Sequence, residues 1–255
     1  MKRIAVISAY TFIEAIRNRI VWLTLALVLA AFTLSEFLAG IAITESQAFR
    51  SALFGALLRI TSVLMLSFFV VSTAVREAND KSLHLLLSLP MPRASYILGK
   101  LGGFALLALV VAVACGVALG FYAPPSQAAL WAASLWCELL LVIGFSVLCV
   151  VTFNQVTSAL CAVVLFYFVS RAIVSLQLMA DGPFNQVDSL GQSFIDGFVW
   201  LLRWVLPDLS KYSQSEWLVY HTGDWSVMTG IALSTMVYLA VLVSAALFDL
   251  YRRNL

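Results

Sequence analysis

The chain has 255 residues, of which 62% are hydrophobic and only 11% charged, and its 15 Lys and Arg against 13 Asp and Glu leave a formal charge of +2. A mean hydropathy of +0.99 excludes a soluble globular domain; the formal charge by itself says little about partners, and no nucleic-acid partner is expected of a membrane-embedded chain. A bilayer core about 30 Å thick takes roughly 20 apolar residues per helix, so the chain is read as an all-α integral membrane protein of six spans with short connections.

Met1 to Arg19 sets Ile4, Ile7, Phe12, Ala15 and Ile16 opposite Lys2, Arg3, Glu14, Arg17 and Arg19. That pattern suits an interfacial helix meeting the first span at an elbow. The first apolar run starts near Ile20 and is too long for a signal-peptide core, so no cleaved signal is expected. Spans are expected over 20–43, 51–75, 97–122, 127–153, 158–180 and 227–250. Between the second and third lies a polar stretch, 76–96, and Pro124 with Pro125 turns the chain between the third and fourth.

An external segment, 181–226, precedes the last span. Phe194 to Leu206 carries apolar residues at helical spacing until Pro207, too short a run to cross a membrane. Trp200, Trp204, Tyr212, Trp217, Tyr220 and Trp225 crowd the same segment, as rings do at headgroup level. It reads as an interfacial or re-entrant hairpin capping the bundle, or as an ordinary amphipathic external helix.

Orientation follows from the cations. With the N-terminus inside, Lys2, Arg3, Arg17, Arg19, Arg76, Lys81, Arg93, Lys100, Arg252 and Arg253 are cytosolic, ten of the fifteen. Arg50, Arg203 and Lys211 are external, and Arg59 and Arg171 fall within spans. This asymmetry places both termini in the cytosol.

No phosphate loop, HExxH, GxSxG or CxxC occurs in the chain, so no catalytic residue, metal site or cofactor is expected in it. Cys115, Cys137, Cys149 and Cys161 sit in apolar stretches and read as small buried hydrophobes. His84 and His221 read as lone surface residues. Three intramembrane charges, Arg59, Glu138 and Arg171, are expensive in lipid, about 3 kcal/mol each on insertion scales, and should face the bundle interior or water. At about 1.5 Å per residue all three lie in the outer half of the membrane. They are either a structural ion pair with one further cation, or a lining for a translocation path that favours an anionic or amphiphilic substrate. Glu36, near the outer end of the first span, reads as facing water.

The stretch from Glu77 to Lys100, E-x-x-x-K-S-L-x-x-L-L-S-L-P-x-P-R-x-x-Y-I-L-G-K, resembles the first cytoplasmic loop of ABC-2 type transporter permeases. The likeness extends to the basic Arg17-Asn18-Arg19 before the first span, the six spans and the external segment between the last two. Leu206-Pro207-Asp208-Leu209 with a later Val219-Tyr220 looks most like the small permeases grouped with copper-enzyme maturation transporters, although Lys81 stands where those often have glycine.

The resemblance implies a bacterial cytoplasmic-membrane half-transporter, usually an exporter. Two permease chains, identical or paralogous, pair in the lipid. Each docks one of two separate ATPase subunits, which bind ATP and Mg, through a coupling helix between spans two and three. Residues 80–89 can form that helix, with Leu83, Leu86 and Leu87 toward a groove in the partner and Glu77, Lys81 and Arg93 as rim ion pairs. Pro90 and Pro92 then turn the chain back. The competing readings are an ATPase-independent channel, carrier or membrane scaffold. A channel or carrier needs polar faces or broken helices in mid-membrane, and spans one, three and six are nearly free of them.

Overall fold

The computed structural model describes residues 2–17, 20–39, 46–79, 93–153, 155–180, 197, 200, 202, 206–214 and 216–252. Among them every long element is an α-helix and there is no strand. The helices are α1 (Lys2–Arg17), α2 (Ile20–Ala39), α3 (Ser46–Asn79), α4 (Arg93–Leu119), α5 (Pro125–Phe153), α6 (Val156–Ala180), the short α7 (Glu216–Val219) and α8 (Trp225–Arg252). A 3-10 turn at Leu209–Tyr212 precedes α7.

Five helices, α3, α4, α5, α6 and α8, are each long and apolar enough to cross a membrane, and six crossings result if α1 and α2, bent by 52° at their junction, make one more. The chain is thus an all-helical, multi-pass membrane protein. One end of the bundle carries residues 76–100 and is called the motif end below. The other, carrying the 120–124 turn and residues 206–224, is called the hairpin end.

Several helices begin earlier or run on later than the expected boundaries, while α4 stops at Leu119, three residues short of 122. α3 begins at Ser46, five residues early, and runs on to Asn79, so Arg76 and Glu77 are helical. Its 34 residues measure about 51 Å, well beyond the hydrocarbon core. α4 starts at Arg93 instead of 97, and the interval between α3 and α4 shrinks to 80–92. Hydropathy marks where the chain leaves lipid, whereas the backbone ladder continues until a breaker intervenes, and Pro90 and Pro92 are the next ones. At α5 the breaker becomes a start. Pro125 opens the helix, where its missing N–H is no loss, and the Pro124 carbonyl accepts from the Gln127 and Ala128 N–H groups at 3.0 Å. Residues 181–196, and with them most of the expected 194–206 helix, lie outside the described residues. The Leu206 N–H donates to the Leu202 carbonyl at 2.8 Å, which is one helical turn.

α5 is the axis of the bundle. Leu135, Leu139, Leu141 and Val142 are wholly buried, and the helix packs against α3, α4, α6 and α8. α8 is peripheral, with Leu233, Met236, Val237, Val241 and Phe248 facing outward. Such residues are an exposed liability in water and the ordinary surface of a helix in lipid.

α1 lies along the start of α4, on a strip made of glycine. A Cβ at Gly99 would come within 2.7 Å of Ile7, and one at Gly103 within 2.6 Å of Thr11 Cβ and 2.8 Å of the Ser8 carbonyl oxygen. The Ser8 hydroxyl donates to the Gly99 carbonyl at 2.8 Å. This docking buries Thr11 and Ala15 and leaves Val6, Tyr10 and Ile13 exposed on another face, the surface that an interfacial helix offers to lipid.

Candidate functional site

Apolar spans isolate every charge they contain, so the few present must find one another. Arg59 on α3 donates through Nη1 to Oε2 of Glu138 on α5 in a close ion pair. Its Nη2 donates to the Ser134 hydroxyl at 3.0 Å. The guanidinium carbon also sits 4.8 Å from the Trp131 ring centroid, within cation–π range. Trp131, Ser134 and Glu138 follow i, i+3, i+7 spacing, so one face of α5 supplies all three of these partners.

Arg171 on α6 completes the network. Its Nη1 lies 3.5 Å from Glu138 Oε1 and 3.1 Å from the Tyr167 hydroxyl, one turn earlier on the same helix. Nη2 donates to the Ser213 hydroxyl at 2.5 Å. One carboxylate therefore ties α3, α5 and α6 together, and Arg171 extends the tie to the hairpin. Burial separates the two cations: Arg59 is 1% exposed and Glu138 0%, while the Arg171 side chain is 26% exposed. Arg59 can touch a solute only if α3 and α5 part. Arg171 already has an open side.

The hairpin closes over this network. Leu209, Tyr212, Trp217 and Leu218 are buried, and a Cβ at Gly55 of α3 would stand 2.6 Å from Leu218 Cδ1. The Tyr212 hydroxyl pairs with Thr235 of α8 at 3.0 Å, and burial pushes its phenol up to about 12, so it stays protonated at neutral pH. Gln127 of α5 donates to the His221 and Gly223 carbonyls at 3.3 and 3.1 Å. The return into α8 is capped by Asp224, whose carboxylate accepts from the Ser226 hydroxyl at 2.6 Å. That bond holds the carboxyl below its usual range.

Glu36, expected to face water, keeps a side chain 37% exposed and is also engaged at the same end. It accepts from the Tyr122 hydroxyl at 2.6 Å and faces Arg50 at 3.6 Å. Burial and that hydrogen bond raise the Tyr122 phenol to about 12. Its partners come from the turn after α4 and the start of α3, which a single-helix reading could not bring to it.

At the motif end, Glu77 faces inward. Its carboxylate takes an ion pair from Lys100 and a 2.9 Å hydrogen bond from the Tyr96 hydroxyl, both on α4. Lys100 is 9% exposed. Glu77 thus braces α3 to α4 across the base of the 80–92 interval. Arg76, beside it, is exposed and faces Glu14 of α1 at 3.6 Å. Lys81, Leu83, Leu86, Leu87 and Pro90 lie outside the described residues. Arg93 opens α4, with its side chain also outside them.

The three intramembrane charges are brought together as their depths implied. Ser134, Trp131, Tyr167 and Ser213 were not anticipated. For Tyr167 a signal existed, since its hydroxyl precedes its charged partner Arg171 by four residues on a helix, whereas Ser134 meets Arg59 from another helix. Ser213 comes from a hairpin whose course has no periodic signature.

Among the described residues no group of three His, Cys, Asp or Glu side chains converges as a metal site. No family model matches the chain, and no curated protein matches it.

Proposed function

We propose that the chain is the membrane-spanning subunit of an ATP-driven transporter of the ABC-2 type. It crosses the bacterial cytoplasmic membrane six times with both termini in the cytosol, and pairs with a second permease chain and two separate ATPase subunits. The observation that carries this reading is the Glu77–Lys100 stretch itself. Its Leu-rich centre, 83–89, lies in sequence between two spans, and its flanks are braced to each other by the Glu77–Lys100 pair.

That brace gives the coupling a mechanical form. Closure of two ATP-binding subunits would push on 80–92, and the tie between α3 and α4 makes the two spans answer as a unit. α3 is also the helix that carries Arg59, so its tilt loads the Arg59–Glu138–Arg171 network nearer the hairpin end. Arg171, the partly open member, is the cation positioned to meet an anionic or amphiphilic substrate as the helices part. Export is the direction the family resemblance implies.

The test is co-purification. A Leu86→Asp/Leu87→Asp chain should insert and remain monodisperse in detergent, because both residues lie outside the spans, yet lose at least about tenfold of its bound ATPase subunit, the effect of placing carboxylates in an apolar contact. Undiminished ATPase recovery would refute docking through this stretch.

A further inference from the structure

Between α6, the hairpin and α8 lies a groove of about 690 Å³, within the 300–1,000 Å³ range of small-molecule sites. It is separate from the charge network. One wall is a stripe of α8, Val227, Gly230, Ile231, Ser234 and Tyr238, at i, i+3, i+4, i+7 and i+11. These positions share one helix face and span about 16 Å along it. Ile173 of α6 faces the stripe. No charged residue belongs to this stripe.

The wall facing this stripe is different. It is the 206–214 segment, which lies alongside α8, the Leu206 carbonyl accepting from the Tyr238 hydroxyl at 3.4 Å and the Tyr212 hydroxyl meeting Thr235 at 3.0 Å, and there Asp208, Lys211 and Gln214 line the groove. Asp208 is already satisfied: Oδ1 accepts from the Ser210 N–H at 3.1 Å and its hydroxyl at 2.6 Å, and Oδ2 lies 3.5 Å from the Lys211 ammonium. An ammonium has three hydrogens to give, and the Lys211 side chain is 71% exposed. This wall therefore has a cation and an amide with hydrogens left to donate, beside a carboxylate with little left to accept.

Gly230 supplies an independent observation. A Cβ built there meets nothing within 4 Å, in contrast to Gly55, Gly103 and Gly144, where one would strike a neighbour at 2.6–2.9 Å. A helix interior is weakened by glycine relative to alanine, and at Gly230 no packing partner explains it. The space it leaves is the groove.

We propose that this groove binds an anionic amphiphile, a phosphate-bearing head at Lys211 and Gln214 with its alkyl chain lying along α8 past Gly230 and Ser234. A charged wall facing an uncharged stripe fits that one chemistry. A free anion would leave the stripe uncovered, and a neutral alkane would leave the ammonium with its Asp208 pair alone. The inference stands apart from any coupling to an ATPase, and its test needs no ATP.

The experiment uses the full chain in neutral alkyl maltoside micelles with a dodecyl phosphate that carries a diazirine in its chain. Labelling is read by peptide mass spectrometry and competed with dodecyl phosphate, dodecanol or inorganic phosphate. Labels should fall within 206–214 and 227–238. Dodecanol should compete at least about tenfold more weakly than dodecyl phosphate, and inorganic phosphate not at all. Gly230→Leu, which fills open space, and Ser234→Leu, a second block on the same stripe, should each cut labelling about tenfold, and Lys211→Gln should bring dodecyl phosphate and dodecanol within about twofold of each other. Unchanged labelling in the monodisperse blocking variants, equal competition by dodecanol, or competition by inorganic phosphate would each overturn the proposal.

Discussion

Glu138 has no water to turn to, and two guanidiniums converge on it. Removing one partner of a buried charge pair costs about 3–5 kcal/mol, because the charge left behind is uncompensated. Glu138→Gln leaves Arg59 in that position, at 1% exposure. It should lower stability by about that range, read as the midpoint of denaturation in a fixed detergent. Arg171→Gln should cost only about 1.5 kcal/mol, since its side chain is a quarter exposed and Glu138 keeps Arg59. If the two substitutions cost the same, the network is not centred on the carboxylate. Much of this site was legible. A charge in an apolar run is conspicuous, and counting residues from the span ends put all three in the outer half of the membrane. Which pairs form, and that Ser213 reaches Arg171, depends on how helices face one another across the bundle, which spacing along one helix does not encode.

At the scale of elements, the contact of α1 with α4 shows what hydropathy cannot rank. Gly99, Gly102 and Gly103 stand in one short run, yet they differ sharply. At Gly102 an added Cβ meets the Ser8 hydroxyl, which can rotate away by giving up its bond to the Gly99 carbonyl, a loss that the gain in helix propensity offsets, whereas at Gly103 it meets the Ser8 carbonyl oxygen and Thr11 Cβ, which cannot move aside. Gly103→Ala should therefore destabilise by about 1–3 kcal/mol through overpacking, despite the gain in helix propensity, and Gly102→Ala should be close to neutral. A reporter at Ala15→Cys, a site 1% exposed, should react faster with a maleimide in the Gly103→Ala chain alone. Equal reactivity in both would mean that α1 does not depend on this contact. Span positions were legible to within a few residues because length and apolarity are the same constraint in a bilayer. Helix ends were less so: α3 carries Arg76 and Glu77 because nothing in 76–79 breaks the ladder, although both are polar.

At the scale of the molecule, the two ends of the bundle carry different devices. The motif end braces α3 to α4 through Glu77 and Lys100, and the hairpin end seals α3, α5 and α6 over a shared carboxylate. α3 takes part in both, so a push at one end arrives at the other through a single helix of about 51 Å. The all-helical, multi-pass architecture was legible from composition. The path of 206–224 was not, because its buried Tyr212, Trp217 and Leu218 look in sequence like any interfacial aromatic cluster. The central claim is the partnership, and the mass of the intact assembly tests it most directly. Solubilised from its native membrane and weighed by native mass spectrometry, the complex should contain two permease chains, each 27.9 kDa if they are identical, plus two copies of an ATP-binding subunit. A mass accounted for by 27.9 kDa chains alone would contradict it.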